Sequence, residues 1–375
     1  MAEPLKNHFG PNVVHTIASM IAAVEPAFPS EQFVADALEG YEPLGLTERG
    51  RKIAGALRAH LPDNYREAIK ILLASLGKKP VATGGDGGMA SFLYLPHTLF
   101  VAAYGLDDFE PSMRAQYELT KRFTAEFSIR AFLERYPEAT LARLAEWARD
   151  PSEDVRRLVS EGTRPRLPWA GRLRAFQRDP RPVLALLEIL KDDPSLYVRR
   201  SVANNLNDIG KDHPDVLAKT ARRWLKGATP ERRWLVTHAL RSAVKRGEAG
   251  ALNALGFGGA PRVGVRAVRI APARVRIGGS IEIAFEIVNT AARRQRVLVD
   301  LCIHFVKASG RTNPKVFKLK SVDLGPRERV PCSKRVSLAE LTTRKHYPGT
   351  HRVGVILNGA PRVIGKFQLL RSIPK

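Results

Sequence analysis

Apolar residues recur at helical spacing through the first 257 residues. In two segments they follow the spacing i, i+3, i+4, i+7, so each set forms one face of an amphipathic helix. These sets are Leu141, Leu144, Ala145 and Ala148, and Val183, Leu186, Leu187 and Leu190. Proline or glycine separates the segments from their neighbours. The pattern predicts a series of short α-helices.

An internal repeat with an offset of 43 residues is visible in this helical part. Asp150-Pro-Ser-Glu-Asp-Val-Arg-Arg157 returns as Asp193-Pro-Ser-Leu-Tyr-Val-Arg-Arg200. Asp-Pro-Ser favours a turn and a helix start, because Asp and Ser cap helices and the residue before proline avoids the α conformation. A weaker third copy runs from His213 to Glu231. Two-helix units of about 40 residues are typical of an α-solenoid of HEAT-like repeats, which offers a concave surface but does not define the ligand.

From Val263 onward apolar and polar residues alternate, which is the period of a β-strand. The alternation is clearest from Ile281 to Ile287 and from Val297 to Phe305. About seven such segments are present, the others near residues 265–276, 315–321, 328–338, 350–357 and 362–370. Seven short strands indicate an immunoglobulin-like β-sandwich. The predicted fold class is mainly α with a β domain, comprising residues 1–257 and 263–375.

The positive charge is concentrated in the β domain. The whole chain has 61 Lys and Arg against 37 Asp and Glu, a net charge of +24. The segment from Pro261 onward holds 24 Lys and Arg but 6 Asp and Glu, and therefore a net charge of +18. Such an excess favours a polyanionic partner, with nucleic acid ahead of an anionic membrane surface. The alternative is a cationic domain that binds no polyanion.

Several other classes of protein are disfavoured. No stretch approaches the roughly 18 apolar residues of a membrane span, and Met1 to Lys6 does not begin a signal peptide, so we expect a cytoplasmic protein. Cys302 and Cys332 lack the number and spacing of a zinc site or a disulfide framework. The nine histidines form no metal-binding motif. We therefore expect no metal and no cofactor.

Candidate chemistry begins with the segment from Thr120 to Phe132. As a helix, this segment places Arg122, Glu126 and Arg130 in an i, i+4, i+8 stripe. Such a stripe is either an exposed salt-bridged surface, worth roughly a few tenths of a kcal/mol per pair, or part of a binding site.

The first copy of the repeat brings a second set of polar residues together. Its second helix carries Arg157 and Glu161 and continues into a loop that holds Arg164, Arg166 and Trp169. Arginines in such a loop suit phosphates. The tryptophan is either a platform that stacks on a base or sugar, or a plug that fills the gap between repeats.

The second copy places Arg200, Asn204 and Asp208 on one helical face, with Asn205 and Asn207 beside them. Asparagine disfavours a helix interior, so several together indicate either a cap or polar recognition. The repeat offset aligns Arg200 and Asn204 with the Arg and Glu of the first copy. We therefore expect one concave surface to gather the acidic residues, the tryptophan and several arginines.

Four segments carry a family resemblance. They are Pro4-Leu-Lys-Asn-His-Phe-Gly10, Glu126-Phe-Ser-Ile-Arg-Ala-Phe132, Glu161-Gly-Thr-Arg-Pro-Arg-Leu-Pro-Trp169 and Val198-Arg-Arg-Ser-Val-Ala-Asn-Asn-Leu-Asn-Asp208. They resemble the AlkC-type DNA alkylation repair glycosylases, relatives of the AlkD proteins among the HEAT-like-repeat DNA glycosylases. The resemblance covers the whole chain, and the last two segments are the most specific.

The resemblance implies hydrolysis of the N-glycosidic bond of 3-methyladenine and 3-methylcytosine in double-stranded DNA, without flipping the base into a deep pocket. It also implies that the immunoglobulin-like domain helps to hold the DNA. By position, Glu126, Glu161 and Trp169 look like the family's active-site residues, and Asp208 is a further acidic candidate. The predicted DNA-binding residues are Arg122, Arg130, Arg157, Arg164, Arg166, Arg200, Asn204, Asn205 and Lys211. We expect a monomer associated with the nucleoid.

These residue types suit that chemistry. N-alkylation makes the base cationic and a good leaving group, so the reaction requires no general acid. Fixed carboxylates stabilise the oxocarbenium character of the sugar, as in sugar glycosidases, and one of them can orient the attacking water. Two alternatives stay open: a non-enzymatic nucleic-acid-binding scaffold, in which the carboxylates only pair with arginines, and a protein-binding solenoid.

Overall fold

The computed structural model of the protein describes residues 5–78, 90–341 and 345–372. Fifteen α-helices lie in the described part of the chain. They are α1 Pro11–Ala22, α2 Ser30–Leu38, α3 Leu46–His60, α4 Tyr65–Ala74, α5 Leu95–Tyr104, α6 Phe109–Thr120, α7 Ile129–Arg135, α8 Pro137–Trp147, α9 Glu153–Gly162, α10 Arg174–Arg178, α11 Arg181–Leu190, α12 Leu196–Asp212, α13 Pro214–Leu225, α14 Pro230–Lys245 and α15 Ala249–Ala254. Short 3-10 helices at Leu5–His8 and Ala90–Tyr94 precede α1 and α5. No described helix combines the length and apolar character needed to cross a membrane.

The predicted helix faces are buried. The buried residues of α11 are Val183, Leu186, Leu187 and Leu190. In α8, Leu144 is buried as well. Apolar spacing of this kind stabilises a helix mainly through packing against its neighbours. The helical prediction for the part of the chain before Val263 is therefore confirmed.

The two copies of the repeat share the same local contacts. In each copy the aspartate, Asp150 or Asp193, accepts the N–H of the serine two residues on, at 2.8 and 2.9 Å. In each copy the first arginine, Arg156 or Arg199, binds the backbone carbonyls of that aspartate and of the following proline. An aspartate that bonds its own turn sets the direction of the next helix. Thus α9 and α12 begin in the same way; their classification as HEAT-like stays an interpretation.

Eight strands follow in the described residues. They are β1 Val263–Ala271, β2 Arg274–Arg276, β3 Ser280–Asn289, β4 Gln295–Val306, β5 Thr312–Leu324, β6 Arg329–Ser337, β7 Gly349–Leu357 and β8 Ala360–Leu370. They form two sheets with the strand orders β1-β3-β6 and β2-β8-β7-β4-β5. The pairs are antiparallel except for β2 and β8, which are parallel.

The alternating apolar residues of both sheets form one core. Ile283 and Phe285 of β3 and Val299, Leu301 and Ile303 of β4 are among its buried members. The period-two pattern places these side chains on the inner face of each sheet, as expected for a sandwich. The predicted β-sandwich after the helical part is confirmed.

The predicted number of seven strands is wrong by one. The segment expected to run as one strand over residues 265–276 is split at Pro272 into β1 and β2. Proline has no N–H to donate, so Pro272 supplies no ladder bond at this point. The chain therefore leaves the sheet of β3, and Arg274–Arg276 joins β8 in the other sheet.

The chain divides into two compact units, one up to Asp212 and one from His213. The secondary structure changes from helix to strand later, between Ala254 and Val263, where the sequence predicted the domain boundary. Helices α13–α15 consequently belong to the same compact unit as the strands. The division into domains of residues 1–257 and 263–375 stays a prediction.

Candidate active site

A cleft of about 670 Å³ opens in the first compact unit. Its walls come from the start of α3, the segment from Ser91 to Leu99, the turn between α6 and α7, α7, and α9 with the loop after it. The start of α12 contributes Tyr197. Glu126, Glu161 and Trp169, the predicted active-site residues, all line this cleft, together with Arg130 and Arg157. The fold thus brings together residues from three segments that are distant in sequence.

A turn over residues 121–128 carries Glu126. The predicted helical stripe of Arg122, Glu126 and Arg130 is therefore wrong, because α6 ends before this turn and α7 begins after it. The hydroxyl oxygen of Thr124 accepts the N–H of Glu126 at 3.3 Å. Such a local side-chain bond competes with the helical backbone bond. It turns Glu126 away from the direction that an uninterrupted helix would impose.

Arg157 lies between Glu126 and Glu161. Its Nη1 contacts Oε2 of Glu126 and donates to the hydroxyl of Thr124 at 3.0 Å, while Nη2 lies 3.6 Å from Oε1 of Glu161. Burial opposes the charge of Arg157, but the two carboxylates outweigh it and raise the pKa of the guanidinium above its usual value. Oε2 of Glu126 also accepts from Thr124 at 2.9 Å. Oε1 of Glu126 has no hydrogen-bond partner among the described residues.

Both carboxylate oxygens of Glu161 are occupied. Oε1 accepts from Nη1 of Arg164 at 2.6 Å, and Oε2 accepts from the hydroxyl of Ser201 at 2.6 Å. The Ser201 hydroxyl in turn lies 2.9 Å from that of Ser160. Glu161 is only 6% exposed. Glu161 is thus held on both oxygens, whereas Glu126 keeps one oxygen that no described residue engages.

Asp208 lies behind Glu161 and not on the cleft. It is 1% exposed, and its carboxylate accepts from Nε of Arg164 at 2.8 Å and from Nζ of Lys211 at 2.7 Å. Eight residues along a helix turn through about 800°, so Asp208 lies about 80° around α12 from Arg200. The expected position of Asp208 on the concave surface is corrected accordingly. Its role in catalysis stays a prediction.

Trp169 stands in the loop between α9 and α10, and its side chain is 82% exposed. A ring with this exposure fills no gap between repeats, so the plug interpretation is wrong. The backbone of Trp169 has a φ of 63°. A residue with a Cβ atom pays roughly 1 kcal/mol for that left-handed conformation. The loop therefore presents the indole in a conformation that the tryptophan itself does not favour.

Arg130 reaches this loop from α7. Its Nη1 donates to the carbonyl oxygens of Gly162 at 3.1 Å and Arg164 at 2.8 Å, and its Nη2 donates to that of Gly171. The side chain is 6% exposed, and burial lowers the pKa of Arg130 to about 10. The guanidinium is still charged at neutral pH, and its charge is directed at three backbone carbonyls.

The other predicted DNA-binding arginines lie in different surroundings. Arg122 donates through Nε to the Gly77 carbonyl at 2.7 Å, and Arg166 pairs with Asp212 at 2.8 Å. Arg200 is exposed on α12. Of these three, Arg200 is the residue whose side chain is most accessible to a partner.

The polar residues of α12 divide between interior and surface. Asn205 is fully buried and donates to the Ser160 carbonyl at 2.7 Å and to the Thr163 hydroxyl at 3.0 Å. It therefore joins α12 to the end of α9 and is neither a cap nor an exposed recognition group. Asn204 is half-buried, and Lys211 is exposed at the end of α12.

The cleft also contains aromatic residues that the sequence analysis did not assign to a site. Tyr197, Phe92, Phe123 and Phe127 line it, and the Arg157 guanidinium carbon lies 5.2 Å from the centre of the Tyr197 ring. Burial raises the pKa of Tyr197 above its usual value. Tyr197 occupies the repeat position that holds an aspartate in the first copy, and this departure is the signal that marks it.

The site is suited to a cationic group. It combines carboxylate oxygens with aromatic faces, and both attract cations. Within the described ranges no group of three or more His, Cys, Asp or Glu side chains could hold a metal ion.

Comparisons with known proteins cover most of the chain. A family model described as the C-terminal Ig-like domain of uncharacterised protein YhaZ matches residues 264–371. Uncharacterized protein YhaZ of Bacillus subtilis is 37% identical over 366 residues, which are 97% of this chain and 99% of that protein. The structure of Pseudomonas fluorescens alkylpurine DNA glycosylase AlkC bound to DNA containing an abasic site analog is similar with a TM-score of 0.88 and 38% identity, over 98% of this chain and 100% of that one. Since the similarity extends over nearly the full length of both chains, this chain belongs to the family of AlkC-type DNA alkylation repair glycosylases.

Proposed function

We propose that this protein is a DNA glycosylase of base excision repair, which hydrolyses the N-glycosidic bond of cationic alkylated bases in double-stranded DNA. The observation that carries the proposal is the cleft in which Glu126, with one unengaged oxygen, lies beside the exposed Trp169. The similarity to AlkC, whose structure contains DNA with an abasic site analog, supports the same assignment. The substrates we propose are 3-methyladenine and 3-methylcytosine, reached without deep base flipping.

The two glutamates have different roles in this proposal. Glu126 has an oxygen that no described residue engages, so it accepts a hydrogen bond from the attacking water and stabilises positive charge on the sugar. As the water oxygen bonds to C1′ of the sugar and the N-glycosidic bond breaks, the proton that the water loses passes to this carboxylate. Glu161 has both oxygens engaged, so it contributes fixed negative charge and holds Arg157 in place. The alkylated base leaves as a neutral group because it begins as a cation. The protein therefore acts through electrostatic stabilisation and orientation of water, without protonating the base.

The β domain supplies most of the proposed DNA affinity. Its segment from Pro261 has a net charge of +18, and cations on this scale bind the phosphate backbone without reading sequence. We propose a monomer that works on the nucleoid, with Arg200 among the residues that contact phosphate. Arg130 and Arg164, which are buried, are proposed to position the site instead of contacting DNA.

The test is release of free bases from methylated duplex DNA, identified by mass. The protein is expected to release 3-methyladenine and 3-methylcytosine and to leave abasic sites. Glu126→Gln is expected to lower kcat by about a hundredfold or more, the usual loss for a preorganised electrostatic group, with little loss of affinity for abasic DNA. Glu161→Gln is expected to lose most activity as well, but less than Glu126→Gln.

A matched control is Glu110→Gln, which removes an exposed carboxylate that pairs with Arg143 outside the cleft. It is expected to keep wild-type activity. Full activity in both Glu126→Gln and Glu161→Gln would contradict the site assignment. Absence of any released base from the wild-type protein would contradict the proposed reaction.

A second candidate, a non-enzymatic nucleic-acid-binding scaffold, is favoured by the pairing of both glutamates with arginines. It predicts salt-sensitive binding to methylated DNA without abasic sites. A protein-binding solenoid predicts instead that affinity survives high salt, because protein interfaces release few counterions. Base release together with a steep salt dependence would exclude both.

A further inference from the structure

The loop that carries Trp169 is short and unusual in what it exposes. It joins the end of α9 at Gly162 to the start of α10 at Arg174. Trp169 near its middle has a positive φ and an almost fully exposed indole. An unfavourable backbone conformation with an exposed large ring persists only where surrounding contacts fix it. One such contact lies within the loop, where the N–H of Ala170 donates to the Leu167 carbonyl at 3.4 Å across Trp169, and others come from outside the loop.

Arg130 provides contacts at both ends of the loop. Its acceptors are the carbonyls of Gly162 and Arg164, before the tryptophan, and that of Gly171, two residues after it. One guanidinium thus ties the two stems of the loop together. A planar fork with several N–H groups can do this, whereas the single ammonium of a lysine cannot reproduce the geometry.

The backbone is shaped to bring Arg130 to that position. Gly162 lies so close to α7 that a Cβ atom there would be 2.5 Å from Cγ2 of Ile129, the residue before Arg130. The close approach of α9 to α7 places the start of the loop within reach of the arginine. Arg164 adds a second brace at the same stem, through Glu161 and Asp208.

We infer that Arg130 is a positioning residue, which holds Trp169 at the mouth of the cleft by clamping both stems of its loop. This inference rests on the proposed function, since it concerns how the same site is assembled. Arg130 acts through Trp169 and does not itself contact the reacting atoms. Its buried guanidinium is directed at the loop and not at a phosphate.

The experiment compares Arg130→Met, Arg130→Lys, Trp169→Ala and the double variant Arg130→Met/Trp169→Ala in base release and in binding to abasic DNA. If Arg130 acts through Trp169, each single variant loses tenfold or more in kcat/KM. The kcat/KM of the double variant is then no lower than that of the less active of Arg130→Met and Trp169→Ala. Arg130→Lys is expected to fail like Arg130→Met, because it keeps the charge but lacks the fork. Arg143→Met, a change outside the cleft, is the control that keeps activity.

A phosphate contact would give the opposite results and would overturn the inference. Arg130→Lys would then keep most of the affinity, Arg130→Met would lower the slope of log affinity against log salt by about one, and the effects of Arg130 and Trp169 would add. Each of these outcomes is measurable on the full chain.

A fluorescence measurement separates the inference from the proposed reaction. The signal of Trp169 is obtained by subtracting the spectrum of each variant's Trp169→Phe counterpart, since three other tryptophans are present. Arg130→Met is expected to lower the anisotropy of Trp169, whether or not the protein releases bases. Unchanged anisotropy in a folded Arg130→Met protein would contradict the clamp. If the wild-type protein releases no base but the anisotropy of Trp169 falls in Arg130→Met, the proposed function is contradicted and the inference about Arg130 is supported.

The left-handed backbone conformation of Trp169 is tested in variants that keep Arg130, so that the test does not depend on whether the Arg130 variants fold. Trp169→Gly adopts a positive φ freely, whereas Trp169→Ala does not. The melting temperature of Trp169→Gly is therefore expected to exceed that of Trp169→Ala by about 2–4 °C. Equal melting temperatures would show that the loop is not held in the left-handed conformation.

Discussion

A chain of alternating charges runs from the cleft through the interior of the first unit to the exposed end of α12. Its members, in order, are Glu126, Arg157, Glu161, Arg164, Asp208 and Lys211. Burying a charge is costly unless it is paired, and removing one partner of a buried pair typically costs about 3–5 kcal/mol. Loss of activity in a variant of this chain is therefore informative only where the free energy of unfolding shows that the fold persists.

His97 is a buried ionisable group whose burial favours the neutral form of the side chain. Both of its ring nitrogens lack a hydrogen-bond partner among the described residues, and burial lowers the pKa of His97 to about 4 from the usual 6.5. The unfolded chain thus binds a proton at a higher pH than the folded one. Stability that depends on His97 is complete above pH 6.5 and is lost as the pH falls towards 4.

We predict a loss of about 2 kcal/mol in the free energy of unfolding between pH 7 and pH 5 from this residue. His97→Phe removes the titrating group, so its unfolding free energy is expected to fall less over the same range. Urea denaturation at both pH values measures the difference. The matched control His15→Phe changes an exposed histidine and is expected to keep the wild-type pH dependence. If the free energy of unfolding of His97→Phe changes with pH as much as that of the wild type, the prediction is contradicted.

At the scale of elements, the site depends on how closely α9 packs against its neighbours. On one side the buried Asn205 of α12 bonds to Ser160 and Thr163. On the other side Gly162 meets Ile129 at the start of α7. These contacts set the positions of Arg157 and Glu161, which lie on α9 between the two interfaces.

Gly162→Ala is predicted to lower the free energy of unfolding by about 1–3 kcal/mol, because its methyl group would overlap Ile129. Adding Ile129→Ala is expected to cost less than the sum of the two single changes, since it removes the overlapping atom. Gly55→Ala in α3 is the control: no neighbouring atom lies within 4 Å of its added Cβ. The control is expected to stabilise the helix by roughly 0.5–1 kcal/mol. Equal stability of the two alanine variants would show that α7 and α9 can move apart.

At the scale of the whole molecule, helices α13–α15 group with the strands. Within this unit Nη1 of Arg296 donates to the Leu255 carbonyl at 3.0 Å, and its guanidinium carbon lies 4.8 Å from the centre of the Phe257 ring. The backbones of Gly247 and Gly359 also approach closely. The strands are thus packed against residues that precede the predicted boundary.

We predict that a fragment of residues 213–375 is more stable than one of residues 261–375. The longer fragment keeps the contacts of α13–α15 with the strands and buries more surface. Its urea unfolding is expected to show a higher midpoint and a larger m-value, because m grows with the surface exposed on unfolding. Equal midpoints would mean that the β domain folds independently of α13–α15 and would contradict the prediction.

Part of the site was predictable because short sequence motifs contain its residues. Glu126, Glu161 and Trp169 were found through motifs, and the repeat offset aligned α9 with α12. The turn at residues 121–128 was not predicted, because the helical spacing of its residues is the same as that of a real helix. The turn contains a bond from the N–H of Glu126 to the Thr124 hydroxyl, which the apolar pattern does not encode.

The sequence by itself determined the order of helices and strands, the cationic β domain and the family of the protein. These properties follow from periodicity, composition and motifs, each of which depends on neighbouring residues. The tertiary structure decided that Asp208 is buried behind Arg164, that one oxygen of Glu126 is engaged by no described residue, and that Arg130 binds the loop of Trp169. Each of these depends on groups 30 or more residues apart in sequence that meet at hydrogen-bond distance, and a linear pattern does not contain that distance.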